Sequence, residues 1–134
     1  MPRDARLAAI ALALAAAPAM AEQVACHYRY GGEEHVLVVR PVASPYAVPA
    51  IAVGSYFRFR AVFQTTPADL ASIKVYTYGD HDETPVIIHQ ASFDYPPPPA
   101  GRYGFTGLQF VYEPLRDGEL QYWCRMAPDS EVSR

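Results

Sequence analysis

Four adjacent side chains that can ligate metal ions stand in segment 78–85, YGDHDETP, between two apolar runs: Asp80, His81, Asp82 and Glu83. An oxygen-rich set of this kind suits a hard cation such as Ca²⁺ or a lanthanide ion. The calcium-loop pattern is incomplete, because Pro85 stands in place of the turn glycine and Ala91 in place of the closing glutamate. The same residues suit the solvated tip of a β-hairpin, which is the interpretation we prefer.

Metal binding at this loop would need further ligands. They could come from water, from Asp94 or Glu113, or from a second copy of the chain. Ligands shared across a dimer would make metal binding and association cooperative. Binding or delivery of a hard cation is therefore the alternative function that the sequence offers.

A second group with binding chemistry comes from two segments, 55–63 and 72–79, in which apolar and polar residues alternate. Period-two alternation predicts β-strands with one buried face and one exposed face. The exposed face, called here the Tyr/Arg face, would carry Tyr56, Arg58, Arg60, Lys74, Tyr76 and Tyr78. Tyrosine and arginine are enriched at the centres of protein interfaces, so this face is predicted to bind a partner. The alternative is an ordinary solvated sheet face.

The proline-rich segment 93–107, FDYPPPPAGRYGFTG, is a third candidate. Consecutive prolines favour a stiff extended backbone, which can present the flanking Tyr95 and Tyr103 to a partner. The alternative is a rigid connection between two sheets.

Motifs for catalysis are missing from the sequence, which has no G-x-S-x-G, P-loop, H-E-x-x-H or G-x-G-x-x-G pattern. His27 and His35 flank Gly31-Gly32 and could approach each other across a hairpin, although two exposed polar positions are the simpler interpretation. His89 stands among apolar residues, where a hydrogen-bonded, partly buried histidine is expected. The sequence thus predicts a protein that is not an enzyme and needs no cofactor.

Seven segments have strand character, and turn residues separate them. They are 24–30, 34–40, 55–63, 72–79, 85–93, 107–112 and 119–126. This pattern predicts an all-β fold, an antiparallel β-sandwich of about seven strands with an immunoglobulin-like outline. Tyr122, two residues before Cys124, resembles the tyrosine corner of such sandwiches. A small closed barrel is the alternative fold.

Residues 1–21 have the layout of a cleaved secretory signal peptide, with Arg3 and Arg6, an apolar core, and Ala19-Met20-Ala21 before the cleavage site. Residues 22–134 would then form a single exported domain, and we assign it to the periplasm. In that oxidising compartment Cys26 and Cys124 should form a disulfide.

The charge balance narrows the choice of partner. The chain has a net charge of −3 and no basic run, so nucleic acid is a poor ligand, and no segment predicts membrane insertion. The sequence therefore predicts a periplasmic binding or accessory module. Its partner would be another periplasmic protein or a second copy of the chain.

Overall fold

Strands dominate the computed structural model of the protein, which describes residues 22–81, 84–98 and 101–128. The predicted signal peptide, Asp82 and Glu83 lie outside the described residues. Two short 3-10 turns cover Pro45–Ala47 and Ala68–Leu70. The strands are β1 Glu22–Tyr30, β2 Glu33–Val39, β3 Pro41–Val42, β4 Ile51–Val53, β5 Phe57–Gln64, β6 Ser72–His81, β7 Thr84–Asp94, β8 Gln109–Glu113 and β9 Gly118–Pro128.

Two sheets pack face to face. Sheet A has the order β2-β1-β9-β8, and sheet B has the order β3-β5-β6-β7, with β4 also paired to β5. The β-sandwich prediction is confirmed, and the described strands do not close into the alternative barrel. All seven predicted strands are present. The additional strands β3 and β4, of two and three residues, are too short for a periodic pattern to reveal them.

The strand order of this sandwich differs from that of an immunoglobulin domain. In a constant immunoglobulin domain the sheets have the orders ABED and CFG, linked by Greek-key connections. Here sheet A joins the first two strands to the last two through the β1–β9 pair, and β5, β6 and β7 form a meander in sheet B. Apart from the β1–β9 pair and the parallel β3–β5 pair, the paired strands are consecutive in the chain and antiparallel.

The core lies between the inner faces of the sheets. The alternation of segment 55–63 is confirmed, because Phe57, Phe59 and Phe63 are all buried. They meet Leu120 and Tyr122 of β9, which are also fully buried. Burying one side chain of this size stabilises the fold by about 1.5–3 kcal/mol, so this aromatic layer holds the sheets together.

The two terminal strands are joined covalently. Cys26 of β1 and Cys124 of β9 stand directly opposite each other in the ladder and form a disulfide, as predicted. It lies within sheet A, whereas the immunoglobulin disulfide links two sheets. No helix of the described residues is long and apolar enough to cross a membrane.

The predicted hairpins are also confirmed. Gly31 and Gly32 have positive φ angles of 65° and 83° between Tyr30 and Glu33, the closing pair of the β1–β2 hairpin. In segment 78–85 the ladder of β6 and β7 continues to His81 and Thr84. YGDHDETP thus connects two antiparallel strands, as the hairpin interpretation requires.

Candidate binding site on the outer face of sheet A

The candidate metal ligands that the structure describes point in different directions. Alternation along β6 places Asp80 on the outer face of sheet B, where its carboxylate lies 3.3 Å from Arg58 Nε. His81 lies on the inner side, with Nε2 3.7 Å from Glu113 Oε1. Asp94 pairs with Ser72 at the opposite end of β6. Among residues 22–81, 84–98 and 101–128, no three His, Cys, Asp or Glu side chains converge to hold a metal ion.

Glu113, suggested above as an additional ligand, has a structural role. Its side chain is fully buried. Its carboxylate accepts hydrogen bonds from the backbone N–H of Leu115, at 3.1 Å, and of Arg116, at 2.8 Å. These bonds satisfy turn amides between β8 and β9, so the carboxylate is held within its own hairpin.

The Tyr/Arg face is present on the outer side of sheet B. The β5–β6 register pairs Arg58 with Tyr78, Arg60 with Tyr76 and Val62 with Lys74. The prediction that Arg58, Arg60, Lys74, Tyr76 and Tyr78 share a face is confirmed. Tyr56 precedes β5, and its ring lies 4.7 Å from Arg116 Cζ. A role of these residues in partner binding stays a prediction.

The arginines of this face are engaged within the chain. Arg60 Nε donates to the carbonyl oxygen of Val48 at 2.7 Å, and its guanidinium also donates to the carbonyl oxygen of Pro45. Arg60 Cζ lies 5.1 Å from the Tyr76 ring centroid. Arg58 is paired with Asp80. A partner would have to compete with these contacts for both guanidinium groups.

The two tyrosines of the proline-rich segment lie in different places. Tyr95 packs edge-on against Phe63 at 4.8 Å, and its hydroxyl donates to the carboxylate of Glu22, which raises the pKa of Tyr95. Tyr103 lies against Trp123, on the outer face of sheet A. The predicted partner-binding residues therefore fall on opposite faces of the sandwich and do not form one surface.

An aromatic platform occupies the centre of the outer face of sheet A. The strand register places Val36, His27 and Trp123 in one row across β2, β1 and β9. The His27 and Trp123 rings stack with centroids 4.0 Å apart and an interplanar angle of 1°. The Tyr103 ring meets Trp123 edge-on at 6.0 Å. Three aromatic rings from distant parts of the chain thus form one contact surface.

This placement corrects the simpler interpretation of the two histidines. His27 pairs with Val36 and His35 with Tyr28, so the histidine side chains point to opposite faces of sheet A. They cannot form a metal pair in this arrangement. The interpretation of His27 as an exposed polar residue is also wrong, since only 18% of its side chain is accessible. His35 lies beside Tyr28, with ring centroids 5.4 Å apart.

Charged groups surround the aromatic platform. Arg29 donates to Glu34 at 3.0 Å, and His27 Nδ1 lies 3.3 Å from the same carboxylate. Hydrogen bonds from Arg29 and then His27 lower the pKa of Glu34. Arg102 Cζ lies 5.0 Å from the Tyr103 ring centroid, a cation–π distance. Arg102 has no carboxylate in ion-pair contact within the part of the chain that the structure describes.

Backbone contacts between the proline-rich segment and β9 position Tyr103. The N–H of Phe105 donates to the carbonyl oxygen of Cys124 at 3.0 Å. In return the N–H of Cys124 donates to Thr106 Oγ1 at 2.9 Å. The Phe105 ring packs edge-on against Phe93 at 5.4 Å. The segment therefore continues the edge of sheet A beyond β8.

Two adjoining concave sites result. The first, called here the aromatic pocket, has a volume of about 330 Å³ and is formed mainly by His27, Arg29, Glu34, Arg102, Tyr103 and Trp123. The second, the proline pocket, has a volume of about 460 Å³ and includes Pro97, Pro98, Phe105, Trp123, Arg125 and Met126. Trp123 and Arg102 line both. These volumes are in the range of small-molecule sites.

Sequence reasoning identified Tyr103 as a candidate binding residue but missed His27 and Trp123, although a local signal for Trp123 was present. In segment 119–126 the buried residues Leu120, Tyr122 and Cys124 alternate with Gln121, Trp123 and Arg125. Trp123, the single tryptophan of the chain, consequently had to face outward among polar neighbours. An outward tryptophan in a strand is a sign of a binding surface. Its stacking partner His27 could not be identified without the pairing of β1 with β9.

Comparison with known proteins gave no match: no protein-family model, curated protein or solved structure shows significant similarity to the chain.

Proposed function

We propose that the protein is a non-enzymatic binding module that acts outside the cytoplasm and binds its ligand at the aromatic pocket. One observation carries this proposal. The stacked pair of His27 and Trp123, with Tyr103 at its edge, forms a concave aromatic surface that remains partly accessible. Apolar and aromatic walls with a few convergent polar groups are the usual composition of ligand pockets.

The Cys26–Cys124 disulfide supports the location, because such bonds persist in oxidising compartments. The signal-peptide layout of residues 1–21 favours export, and we place the mature protein in the periplasm. We propose this compartment on those two grounds together.

The contacts of the chemically versatile side chains support binding without catalysis. Both cysteines are consumed in the disulfide. His89 Nε2 lies 2.6 Å from the hydroxyl of the fully buried Tyr122, and burial lowers the pKa of His89. His27 is held between Trp123 and Glu34. None of these three described groups is paired with a nucleophile in an accessible position.

The Tyr/Arg face and the hairpin tip at 80–83 are weaker candidates. Both guanidinium groups of that face already have partners within the chain. The described donors of the tip, Asp80 and His81, point to opposite sides of β6. We therefore place the principal binding function on sheet A.

Chemical-shift mapping of the ¹⁵N-labelled protein with a library of small fragments tests this proposal. We expect shifts to concentrate at His27, Arg29, Tyr103 and the indole N–H of Trp123. The variant Tyr103→Ala should weaken the binding of the fragments that cause these shifts. The variant Arg58→Glu, on the opposite face, should bind them as tightly as the wild type. Shifts concentrated on the Tyr/Arg face, or none with any fragment, would contradict the proposal.

A further inference from the structure

We propose that the ligand of the aromatic pocket is an acidic saccharide, a pyranose that carries a carboxylate. This inference rests on the function proposed above and adds the chemical class of the ligand. Its basis is the combination of a partly accessible indole, the guanidinium of Arg102, and planar polar side chains in the adjoining row of the sheet.

The aromatic platform suits the apolar side of a sugar ring. The C–H groups on one face of a pyranose are weakly positive, and an aromatic face is negative, so the two attract each other. His27 covers one face of the indole of Trp123 and fixes its orientation. The indole still lines both the aromatic and the proline pocket. A saccharide can therefore stack on a ring that is already held in place, which lowers the entropic cost of binding.

The local charge selects an anion. The chain as a whole has a net charge of −3. Around the aromatic pocket, however, two guanidinium groups, those of Arg29 and Arg102, accompany a single carboxylate, that of Glu34. Glu34 is itself paired with Arg29 at 3.0 Å. The surplus of positive charge lies on the side of Arg102.

Arg102 is the residue that we assign to the carboxylate of the ligand. Its guanidinium lies over Tyr103, which restrains its position, and the residue is exposed to solvent. It has no acidic partner among the described residues. A guanidinium matches a carboxylate with two parallel hydrogen bonds, and an ordered guanidinium loses less entropy in making them.

Polar groups for sugar hydroxyls stand in the adjoining row. Glu34, Arg29 and Gln121 are aligned across β2, β1 and β9 and line the aromatic pocket. Their planar groups combine donors and acceptors, as neighbouring hydroxyl groups require. A simple inorganic anion would use only the arginines and would leave the aromatic platform without a role.

Fluorescence of the single tryptophan reports on this site directly, because Trp123 lines both pockets. The probes are galacturonate oligomers, neutral glucose oligomers of equal length, and acetate. We expect the acidic oligomer to change the emission of Trp123 and to bind about tenfold more tightly than the neutral one. Arg102→Gln should remove that tenfold preference, while Arg58→Gln should leave it unchanged. Circular dichroism verifies the fold of each variant.

Each outcome separates the possibilities. Equal binding of acidic and neutral oligomers would overturn the role of Arg102. Acetate binding as tightly as the acidic oligomer would show an anion site without saccharide recognition and would overturn the inference. If no saccharide binds while fragments still shift the pocket signals, the inference fails and the proposed binding function stands. If nothing binds, both fail.

Discussion

At Gly104 the backbone has a φ angle of 63° and runs so close to β9 that a Cβ atom would overlap the carbonyl oxygen of Cys124. Only glycine adopts this conformation without strain and leaves room for the approach. The contact positions the two flanking residues, Tyr103 at the aromatic pocket and Phe105 against Phe93. One missing side chain thus determines the geometry of the candidate site.

Gly104→Ala should therefore lower the free energy of unfolding by about 2–4 kcal/mol, since a left-handed backbone angle and a backbone clash act together. Denaturant titration measures this change. Gly101→Ala is the matched control, because a Cβ there meets no atom within 4 Å. The control should stay within about 0.5 kcal/mol of the wild type. Equal stabilities of the two variants would contradict the close approach.

At the scale of the strands, a hydrogen bond connects the sheets in the core. His89 of β7 and Tyr122 of β9 lie 2.6 Å apart. The tyrosine-corner resemblance of Tyr122 does not describe this contact, since the hydroxyl reaches a side chain of the opposite sheet. Burial raises the pKa of Tyr122 and lowers the pKa of His89. Both groups are thus held in their neutral forms.

This contact makes stability depend on pH in a defined direction. The pKa of His89 in the folded protein lies below its ordinary value of 6.5, so the unfolded chain takes up the proton first as pH falls. The contribution of His89 to stability is intact above pH 6.5. It declines below that value until the folded-state pKa is reached, and is then constant.

The melting temperature of the wild type should fall when the pH is lowered from neutral to 5. We expect a smaller fall in His89→Gln. Glutamine can still bond to the Tyr122 hydroxyl but does not titrate. Thermal unfolding followed by circular dichroism measures the difference. His35→Gln, on the exposed part of β2, should keep the pH dependence of the wild type. A fall of equal size in all three proteins would show that His89 does not contribute.

The disulfide acts at the same scale by joining β1 to β9. It closes a loop with a sequence separation of 98 residues, so it restricts the unfolded chain strongly. The double variant Cys26→Ser/Cys124→Ser should lose about 2–5 kcal/mol of unfolding free energy. Denaturant titration without reductant compares it with the wild type. In the variant, added reductant should have no further effect, and a stability equal to that of the wild type would disprove the stabilising role.

At the scale of the whole molecule, the sandwich presents two different outer faces. Sheet B carries the Tyr/Arg face, whose arginines are bound to backbone oxygens and to Asp80. Sheet A carries the aromatic pocket, with Val36 and Phe110 farther out on the same face, 49% and 60% exposed. The accessible aromatic surface and the surplus of arginine therefore coincide on one side.

Export is predicted from the signal-peptide layout of residues 1–21. We expect a bacterial secretion host to remove residues 1–21, so that the mature protein begins at Glu22, the first residue of β1. Intact mass and N-terminal sequencing of protein from the periplasmic fraction test this. The mature chain should contain no free thiol. Retention of residues 1–21 in exported material would contradict the predicted cleavage site.

Much of the fold follows from local patterns. The alternation of Phe57, Phe59 and Phe63 predicts a strand with one buried face, because period two places these residues on the same side. Gly31-Gly32 predicts a tight hairpin, because glycine accepts positive φ angles. The two cysteines predict a disulfide in an oxidising compartment. The strand and the hairpin follow from residues that are neighbours in the chain. The disulfide follows because the chain has two cysteines, which can pair in one way.

The site depended on long-range geometry. His27 meets Trp123 only because β1 pairs with β9 in one register, and a shift by one residue would turn either side chain to the other face. Tyr103 joins them only because the proline-rich segment docks along β9 through Gly104 and Phe105. Alternation within a strand states which residues face outward. Which outward residues become neighbours is decided by strand order and register, and these are set by the packing of the whole core.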